Sequence, residues 1–133
     1  MQVATALNPH MPVSINSLEA VVQRQLDAFN ARDMSALLAV YADDAEMYEH
    51  PAKLVARGSA ALRERFTNRF QEPNLHATLL NRIVSGNTVI DHESVTRTFA
   101  EVPGRIELIM IYEVKDGRIA KAWTIAGPRT LGA

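Results

Sequence analysis

The chain has 133 residues, of which 47% are hydrophobic, so it is long enough to form one globular domain with a full core. Its 14 basic and 15 acidic residues give a net charge of −1, which excludes the strongly basic character of proteins that bind nucleic acids or membrane surfaces. Cysteine is absent, which excludes disulfides, a thiolate nucleophile and a zinc–thiolate site.

The beginning of the chain predicts an arm followed by a domain. Residues 1–16 contain Pro9 and Pro12 and show no hydrophobic period, so we expect an N-terminal arm before a single domain over residues 17–133. These first residues lack the charged region and continuous apolar stretch of a signal peptide. No apolar run in the chain approaches the roughly 18 residues that a membrane-spanning helix needs. We therefore expect a cytoplasmic protein.

Three helices are predicted in the first half of the domain. Asn16 or Ser17 can cap the first helix, and Asp33 can cap a shorter second one. Gly58 opens the third helix, and a short strand over Ala45–Glu49 precedes it. The apolar positions of the first and third helices follow helical spacing: Leu18, Val21, Val22, Gln25, Leu26 and Phe29, then Leu62, Phe66 and Phe70.

The second half of the chain predicts four strands. They are rich in β-branched, aromatic and apolar residues and cover Leu75–Ser85, Thr88–Phe99, Arg105–Lys115 and Arg118–Ala126. The connections are so short that the strands must form an antiparallel meander. Three helices packed on one face of a curved mixed or antiparallel sheet make an α+β cone that encloses an apolar pocket.

The turns predict which side chains share a face of the sheet. A two-residue turn at Gly86-Asn87 pairs Arg82 with Asp91, and a five-residue loop over Ala100–Gly104 pairs Arg97 with Glu107. The face towards the pocket then holds Leu79, Asn81, Ile83, Ile90, His92, Ser94, Leu108, Met110 and Tyr112. The outer face holds Arg82, Asp91, Glu93, Val95, Arg97, Glu107, Ile109 and Ile111.

The last hairpin leaves two alternatives for the single tryptophan. A plain two-residue turn at Asp116-Gly117 directs Trp123 into the pocket, whereas a bulged turn directs Ala122 and Thr124 inward and Trp123 outward. The sequence Lys115-Asp116-Gly117 favours the bulged turn. We then expect the apolar centre of the outer face, formed by Val95, Ile109, Ile111 and Trp123, to be the interface of a homodimer.

Several segments resemble a known family. The segments "VVQRQLDAFNARDMSALLAVYADDAEMYEHP", "RGSAALRERF" and "VKDGRIAKAW" are similar to the nuclear transport factor 2-like superfamily, in its SnoaL-like and ketosteroid-isomerase-like branch. The similarity runs from about Leu18 to Pro128. It implies a cone-shaped α+β fold with a deep pocket, commonly in a homodimer. Members include isomerases, polyketide cyclases, dehydratases, epoxide hydrolases and non-catalytic binding modules, so the fold does not specify the function.

The catalytic residues of two family enzymes do not carry over. Ketosteroid isomerases use a tyrosine, an aspartate base and a protonated aspartate, and these positions fall on Gln25, on His50 and near Met110. Met110 neither donates nor accepts a proton, so steroid isomerisation by that mechanism is not expected. The Arg–Asp–Asp set of limonene epoxide hydrolases is likewise missing from the predicted pocket face.

Two histidines are the candidate bases. His50, at the predicted pocket mouth near Tyr48, is either a general base or a polar residue that closes a loop. His92, with Tyr112 opposite and Asn81 beside it, either positions a substrate carbonyl or forms a buried structural hydrogen-bond network. The histidine spacing lacks HxH and HxxxH patterns, so no metal site is expected.

These residues predict an enzyme that needs no cofactor and moves a proton on a small apolar molecule with a carbonyl group. The alternative is a module that binds a small ligand, or dimerises, without chemistry. The predicted catalytic residues are His50, His92 and Tyr112. The predicted ligand-binding residues are Gln25, Tyr48, Phe66, Asn81, Ser94 and Met110.

Overall fold

The computed structural model describes residues 17–132, and the predicted arm over residues 1–16 lies outside them. The helices are α1 (Leu18–Ala31), α2 (Met34–Ala39) and α3 (Gly58–Arg69). The strands are β1 (Tyr41–Glu49), β2 (Lys53–Arg57), β3 (His76–Ser85), β4 (Thr88–Phe99), β5 (Val102–Lys115) and β6 (Arg118–Leu131). The three predicted helices are confirmed. None of them is long and apolar enough to cross a membrane.

Local capping explains where the first two helices begin. The Ser17 hydroxyl accepts a hydrogen bond of 3.1 Å from the backbone N–H of Ala20. The Asp33 carboxylate accepts one of 3.1 Å from the N–H of Ala36. Each cap satisfies a backbone donor that the first turn of a helix leaves without a partner.

The strands form one curved six-stranded sheet in the order β2-β1-β6-β5-β4-β3. Neighbouring strands are antiparallel except β1 and β6, which are parallel. The predicted α+β fold, with three helices against a curved sheet, is confirmed. The short strand β2, which pairs with β1 at one edge, was not predicted.

At the other edge of the sheet, one side chain of α1 binds the backbone of a residue of β3. The Asn30 amide donates to the carbonyl of Ala77 on β3 at 2.9 Å, and the Asn30 carbonyl accepts from the Ala77 N–H at 2.8 Å. These two bonds fix α1 against the free side of β3.

The first hairpin of the meander has the predicted register. Ser85 pairs with Thr88, and Arg82 pairs with Asp91 across the turn at Gly86-Asn87. A bulge between Leu79 and Asn81 interrupts the same pair of strands further along.

The predicted register of β4 against β5 is wrong. Their turn contains only Ala100 and Glu101, both with positive φ (48° and 68°), and Phe99 pairs with Val102. This register differs from the prediction by three residues. Since side chains alternate between faces, an odd difference turns β3 and β4 over relative to β5.

This difference moves several residues to the opposite face. Asp91 and Glu93 pair with Met110 and Leu108 on the inner face, whereas His92 pairs with Ile109 on the outer face. Val95, expected in the dimer interface, is also on the inner face and 5% exposed. The inner face of β5, which includes Leu108, Met110 and Tyr112, was predicted correctly.

The ion pairs change with the register. Arg97 does not pair with Glu107, because its guanidinium binds Glu72. Glu107 instead lies 2.7 Å from Nε2 of His92 on the outer face.

The last hairpin resolves the position of the tryptophan. Lys115 pairs with Arg118 across Asp116-Gly117, and a bulge follows between Glu113 and Val114. Trp123 therefore pairs with Ile111 on the outer face, where its ring stacks on Tyr48 at 5.6 Å between centroids. Trp123 is on the expected face, but the expected bulged turn is wrong. The turn has two residues, Asp116 and Gly117, both with positive φ (53° and 78°), and the bulge that turns Trp123 outward lies further along the strands.

Candidate functional site

A cavity of about 570 Å³ lies between the inner face of the sheet and helices α1 and α3. Much of its wall is apolar, and Leu26, Phe29, Phe66, Leu108 and Met110 contribute to it. Pockets of this size and composition hold small ligands with the help of a few polar groups.

The closed end of the cavity contains a tyrosine–glutamine pair. Tyr112, 1% exposed, donates its hydroxyl proton to the Gln25 side-chain carbonyl at 3.1 Å. Burial, followed by the nearby negative charge of Glu93, raises the pKa of Tyr112 well above its ordinary value. The phenol therefore stays protonated and remains a hydrogen-bond donor.

A second tyrosine hydroxyl lies in the same wall without a partner among residues 17–132. Tyr41, 2% exposed, has a buried hydroxyl that makes no hydrogen bond with any residue in 17–132. Burial raises the pKa of Tyr41, and the nearby Gln25 side chain partly opposes this rise. The Tyr41 hydroxyl and Gln25 do not meet the geometry of a hydrogen bond. A buried donor without an acceptor costs roughly 1–3 kcal/mol, which an oxygen atom of a ligand would recover.

Glu93, on the central part of β4, is a buried carboxyl that faces the cavity. It is 5% exposed, and burial raises its pKa to about 7, helped by the negative charge of Asp91 and opposed by Arg82. No hydrogen bond joins it to another residue within the described part of the chain. At neutral pH this carboxyl is therefore present in both protonation states.

Behind Glu93, an ion pair is buried in the sheet. Arg82 binds Asp91 through two hydrogen bonds of 2.7 and 2.9 Å, and a third nitrogen donates to Gln23 at 2.9 Å. The predicted position of Arg82 and Asp91 on the outer face is thus wrong, because Asp91 pairs with Met110 of the inner face. Only Glu93 of this group lines the cavity, because Arg82 and Asp91 lie beneath the cavity wall.

Five of the residues predicted for the site line the cavity. These are Gln25, His50, Phe66, Met110 and Tyr112. His50 is exposed at the end of β1, and its backbone N–H donates to the carbonyl of Thr124 at 2.9 Å. The structure therefore brings together one predicted histidine and the predicted tyrosine in one cavity.

Four predicted site residues do not line it. His92, Asn81 and Ser94 are on the outer face because β4 is turned over, and His92 contacts Glu107 there. Tyr48 is also outside, where it stacks on Trp123 and donates to Glu46 at 2.6 Å. The predicted cluster of His92, Tyr112 and Asn81 does not exist.

Sequence reasoning missed Glu93 and Tyr41. Val89, Asp91, Glu93 and Val95 alternate along β4 and therefore share one face of the sheet. The predicted five-residue loop placed this face outside, whereas the actual register places it towards the cavity. Tyr41 was not among the predicted site residues, and it is the first residue of β1. Within residues 17–132, no group of three His, Cys, Asp or Glu side chains is placed to hold a metal ion.

Comparison with known proteins gives a family and a set of similar folds. A model of the SnoaL-like domain matches residues 22–122. A proposed polyketide cyclase from Sinorhizobium meliloti is 25% identical, with a TM-score of 0.67 over 78% of this chain and 92% of that one. IdmH, a proposed polyketide cyclase from Streptomyces antibioticus, is 21% identical, with a TM-score of 0.70 over 83% and 91%. An LEH-like epoxide hydrolase from M. tuberculosis is 16% identical, with a TM-score of 0.72 over 86% and 85%.

Proposed function

This chain belongs to the SnoaL-like domain family, and we propose that it is a cofactor-independent enzyme that moves a proton on a small, largely apolar molecule with a carbonyl group. The observation that carries the proposal is the Glu93 carboxyl, whose pKa burial raises to about 7 in the wall of a mostly apolar cavity. A general acid–base group works best when its pKa lies near the operating pH, because both of its forms are then available.

The cavity suggests a role for each polar group. The Glu93 carboxylate accepts a proton from the carbon next to the carbonyl, and the C–H electron pair moves towards the carbonyl oxygen to give an enolate. The Tyr41 hydroxyl, which has no acceptor among the described residues, donates to that oxygen. Protonated Glu93 then returns the proton to carbon. A positioned donor of this kind stabilises the charge that develops in the transition state.

Tyr112 and Gln25 support the tyrosine that donates. Their mutual hydrogen bond of 3.1 Å holds the Gln25 side chain beside Tyr41 at the closed end of the cavity. His50 is at the exposed end of β1, where it can exchange protons between the cavity and water. His92 has no part in this proposal.

Two of the structural relatives support the substrate class. Both are described as proposed polyketide cyclases, and a polyketide carries several carbonyl groups with acidic C–H bonds beside them. At identities of 25% and 21%, both share the fold of this chain.

The experiment is proton exchange on carbon. The protein is incubated in D2O at pH 7.5 with a panel of apolar ketones, such as cyclohexanone, 2-decalone and a cyclic β,γ-enone, and loss of the α-proton NMR signal is followed. We expect Glu93→Gln to slow exchange by about 10²–10⁴-fold, the usual contribution of a general base. The matched control is Glu101→Gln, which changes an exposed carboxyl in a turn.

The alternative function is a binding module that performs no chemistry. It predicts that ketones of the panel bind, as seen in shifted amide signals of cavity residues, and that none exchanges its α-proton faster than in buffer. That result would overturn the proposed activity.

We also propose a homodimer through the outer face of the sheet. Ile83, Ile90, Ile111, Trp123 and Tyr48 are paired in one row across five neighbouring strands. Ile83 is 55% exposed, which leaves apolar surface in contact with water in the single chain. A stable dimer would bury about 1,200–2,000 Å² in total, which requires most of this face.

A further inference from the structure

One end of the cavity is lined by a group of four arginines. They are Arg65 and Arg69 on α3, Arg97 on β4 and Arg129 on β6. We call them the arginine rim. Arg129 pairs with Ile106, and Ile106 pairs with Val95. The rim therefore lies beyond Val95, at the end of the cavity opposite Tyr112.

The spacing along the strand gives the distance between the rim and the acid–base group. Val95 is two residues from Glu93, and Arg97 is four residues from it. At about 3.3 Å per residue, these positions lie about 7 and 13 Å along β4 from Glu93. A small molecule can therefore reach both ends at once.

The rim holds more positive charge than its neighbours neutralise. Glu72 accepts two hydrogen bonds from Arg97, at 3.1 and 2.7 Å, and one of 3.0 Å from the Thr98 N–H. Nε of Arg69 lies 3.7 Å from the same carboxylate, so one anion serves two guanidinium groups.

The other two arginines have no anionic partner among residues 17–132. The Arg129 guanidinium stacks on Phe99, 4.5 Å from the ring centroid. Arg65 is half-buried and forms no hydrogen bond or ion pair with any described residue. Glu49, a further carboxylate of the cavity wall, pairs with Lys53 at 3.5 Å.

The charges at the rim also affect one another. Burial, followed by the positive charge of Arg97, lowers the pKa of Arg69 to about 10, and Glu72 only partly opposes this shift. Like charges held this close in a partly dry site repel each other, and a bound anion would relieve the repulsion.

From this arrangement we infer that the cavity takes a ligand with a carboxylate group at one end, bound by the arginine rim, and an apolar body that extends to Glu93 and Tyr41. Guanidinium groups bind a planar carboxylate through paired hydrogen bonds. The apolar wall formed by Val95, Ile106 and Leu108 lies between the two ends. As a substrate of the enzyme, such a ligand rests on the proposed function.

The test compares ligands that differ only in their head group. Calorimetric titration of the protein at pH 7.5 uses octanoate, 1-octanol and octyl phosphate. We expect octanoate to bind about 10-fold or more tightly than 1-octanol, because hydrogen bonds to charged groups contribute that much. Equal affinity for octanoate and 1-octanol would overturn the inference, and tighter binding of octyl phosphate would overturn the assignment to a carboxylate.

Two variants locate the head group. Arg65→Gln and Arg129→Gln should each weaken octanoate about 5–30-fold and leave 1-octanol unchanged. The matched control is Arg63→Gln, which removes an exposed arginine of the same helix that does not line the cavity. Unchanged octanoate affinity in both rim variants, with circular dichroism showing that they are folded, would refute the rim as the binding site.

The two proposals fail in different ways. Binding of octanoate is measured without turnover, so a head-group preference that depends on Arg65 and Arg129 supports the carboxylate site even if no ketone exchanges its proton. Conversely, exchange that depends on Glu93, together with equal affinity for octanoate and 1-octanol, supports the enzyme and rejects the carboxylate site.

Discussion

Replacing Glu93 by glutamine should change how the stability of the protein depends on pH. The pKa of this carboxyl is about 7 in the folded protein, against an ordinary value of 4.5. Below pH 4.5 the group is protonated in both the folded and the unfolded chain, so it has no effect on the difference in free energy. Between pH 4.5 and 7 the unfolded chain releases the proton while the folded chain keeps it, and the protein becomes less stable as pH rises.

The magnitude follows from the size of the shift. The rise in pKa from 4.5 to about 7, at about 1.4 kcal/mol for each tenfold change in proton affinity, corresponds to about 3.5 kcal/mol of stability that is lost well above pH 7. Glutamine has nearly the same shape and cannot ionise. We therefore expect Glu93→Gln to raise the free energy of unfolding by up to about 3 kcal/mol at pH 8, and by close to zero at pH 4.5. In a domain of this size, 3 kcal/mol is roughly 10 °C in melting temperature.

The assay is urea unfolding of the wild type and the variant between pH 4.5 and 8.5, followed by tryptophan fluorescence. The difference between the two proteins is the relevant quantity, because other carboxyls with lowered pKa values, such as Glu46 and Glu72, affect both equally. Glu101→Gln, which changes an exposed carboxyl in a turn, is measured alongside as the matched control. A difference between wild type and Glu93→Gln that stays flat from pH 4.5 to 8.5 would refute a raised pKa and remove the main support for the proposed chemistry.

Two further predictions concern the cavity wall and the outer face. Tyr41→Phe removes a buried hydroxyl without a described partner, so thermal unfolding of the ligand-free protein should show unchanged or up to about 1 kcal/mol higher stability. A ketone that accepts from this hydroxyl should bind the variant about 5-fold or more weakly, and a loss of stability with no loss of affinity would contradict the role of Tyr41. Ile111→Glu should give monomers in analytical ultracentrifugation, because a charge at the centre of an interface is not solvated. Leu131→Glu, at an exposed position outside the row, should leave a dimer, and a wild type that is monomeric at high concentration would contradict the dimer.

The helices and the first hairpin could be predicted because their signals are local. Ser17 and Asp33 are N-cap residues whose side chains bond the first turn of their helices. Gly86 has a φ of 60°, which suits the two-residue turn expected from Gly-Asn. In each case the determining residues are neighbours in the chain.

The β4–β5 register could not be predicted because its turn has no sequence signal. Ala100 and Glu101 both adopt positive φ, which non-glycine residues rarely do. Gly104, expected in the loop, lies within β5 instead. A Cβ atom there would approach the Thr130 carbonyl oxygen to 2.7 Å, so glycine is required by the close contact with β6 and not by a turn.

The candidate site inherited this error. Complementary charges on Arg97 and Glu107 supported the wrong pairing, although the real partner of Arg97, Glu72, lies outside the sheet. The pocket and the inner face of β5 follow from the order of helices and strands, and the sequence patterns predict this order. The identity of the acid–base group depends on the turn between β4 and β5. Because that turn was predicted incorrectly, Glu93 was assigned to the outer face and His92 to the inner face.

The contact between Asn30 and Ala77 has a consequence for how copies of the chain can meet. An unpaired strand at the edge of a sheet offers its backbone groups to any other extended chain, which leads to aggregation. Here the side-chain amide of Asn30 occupies both backbone groups of Ala77 on the free side of β3. A foreign strand would have to displace these two hydrogen bonds and separate α1 from the sheet. Lateral growth of the sheet at this point is therefore blocked, and the outer face remains open for association that can end at two copies.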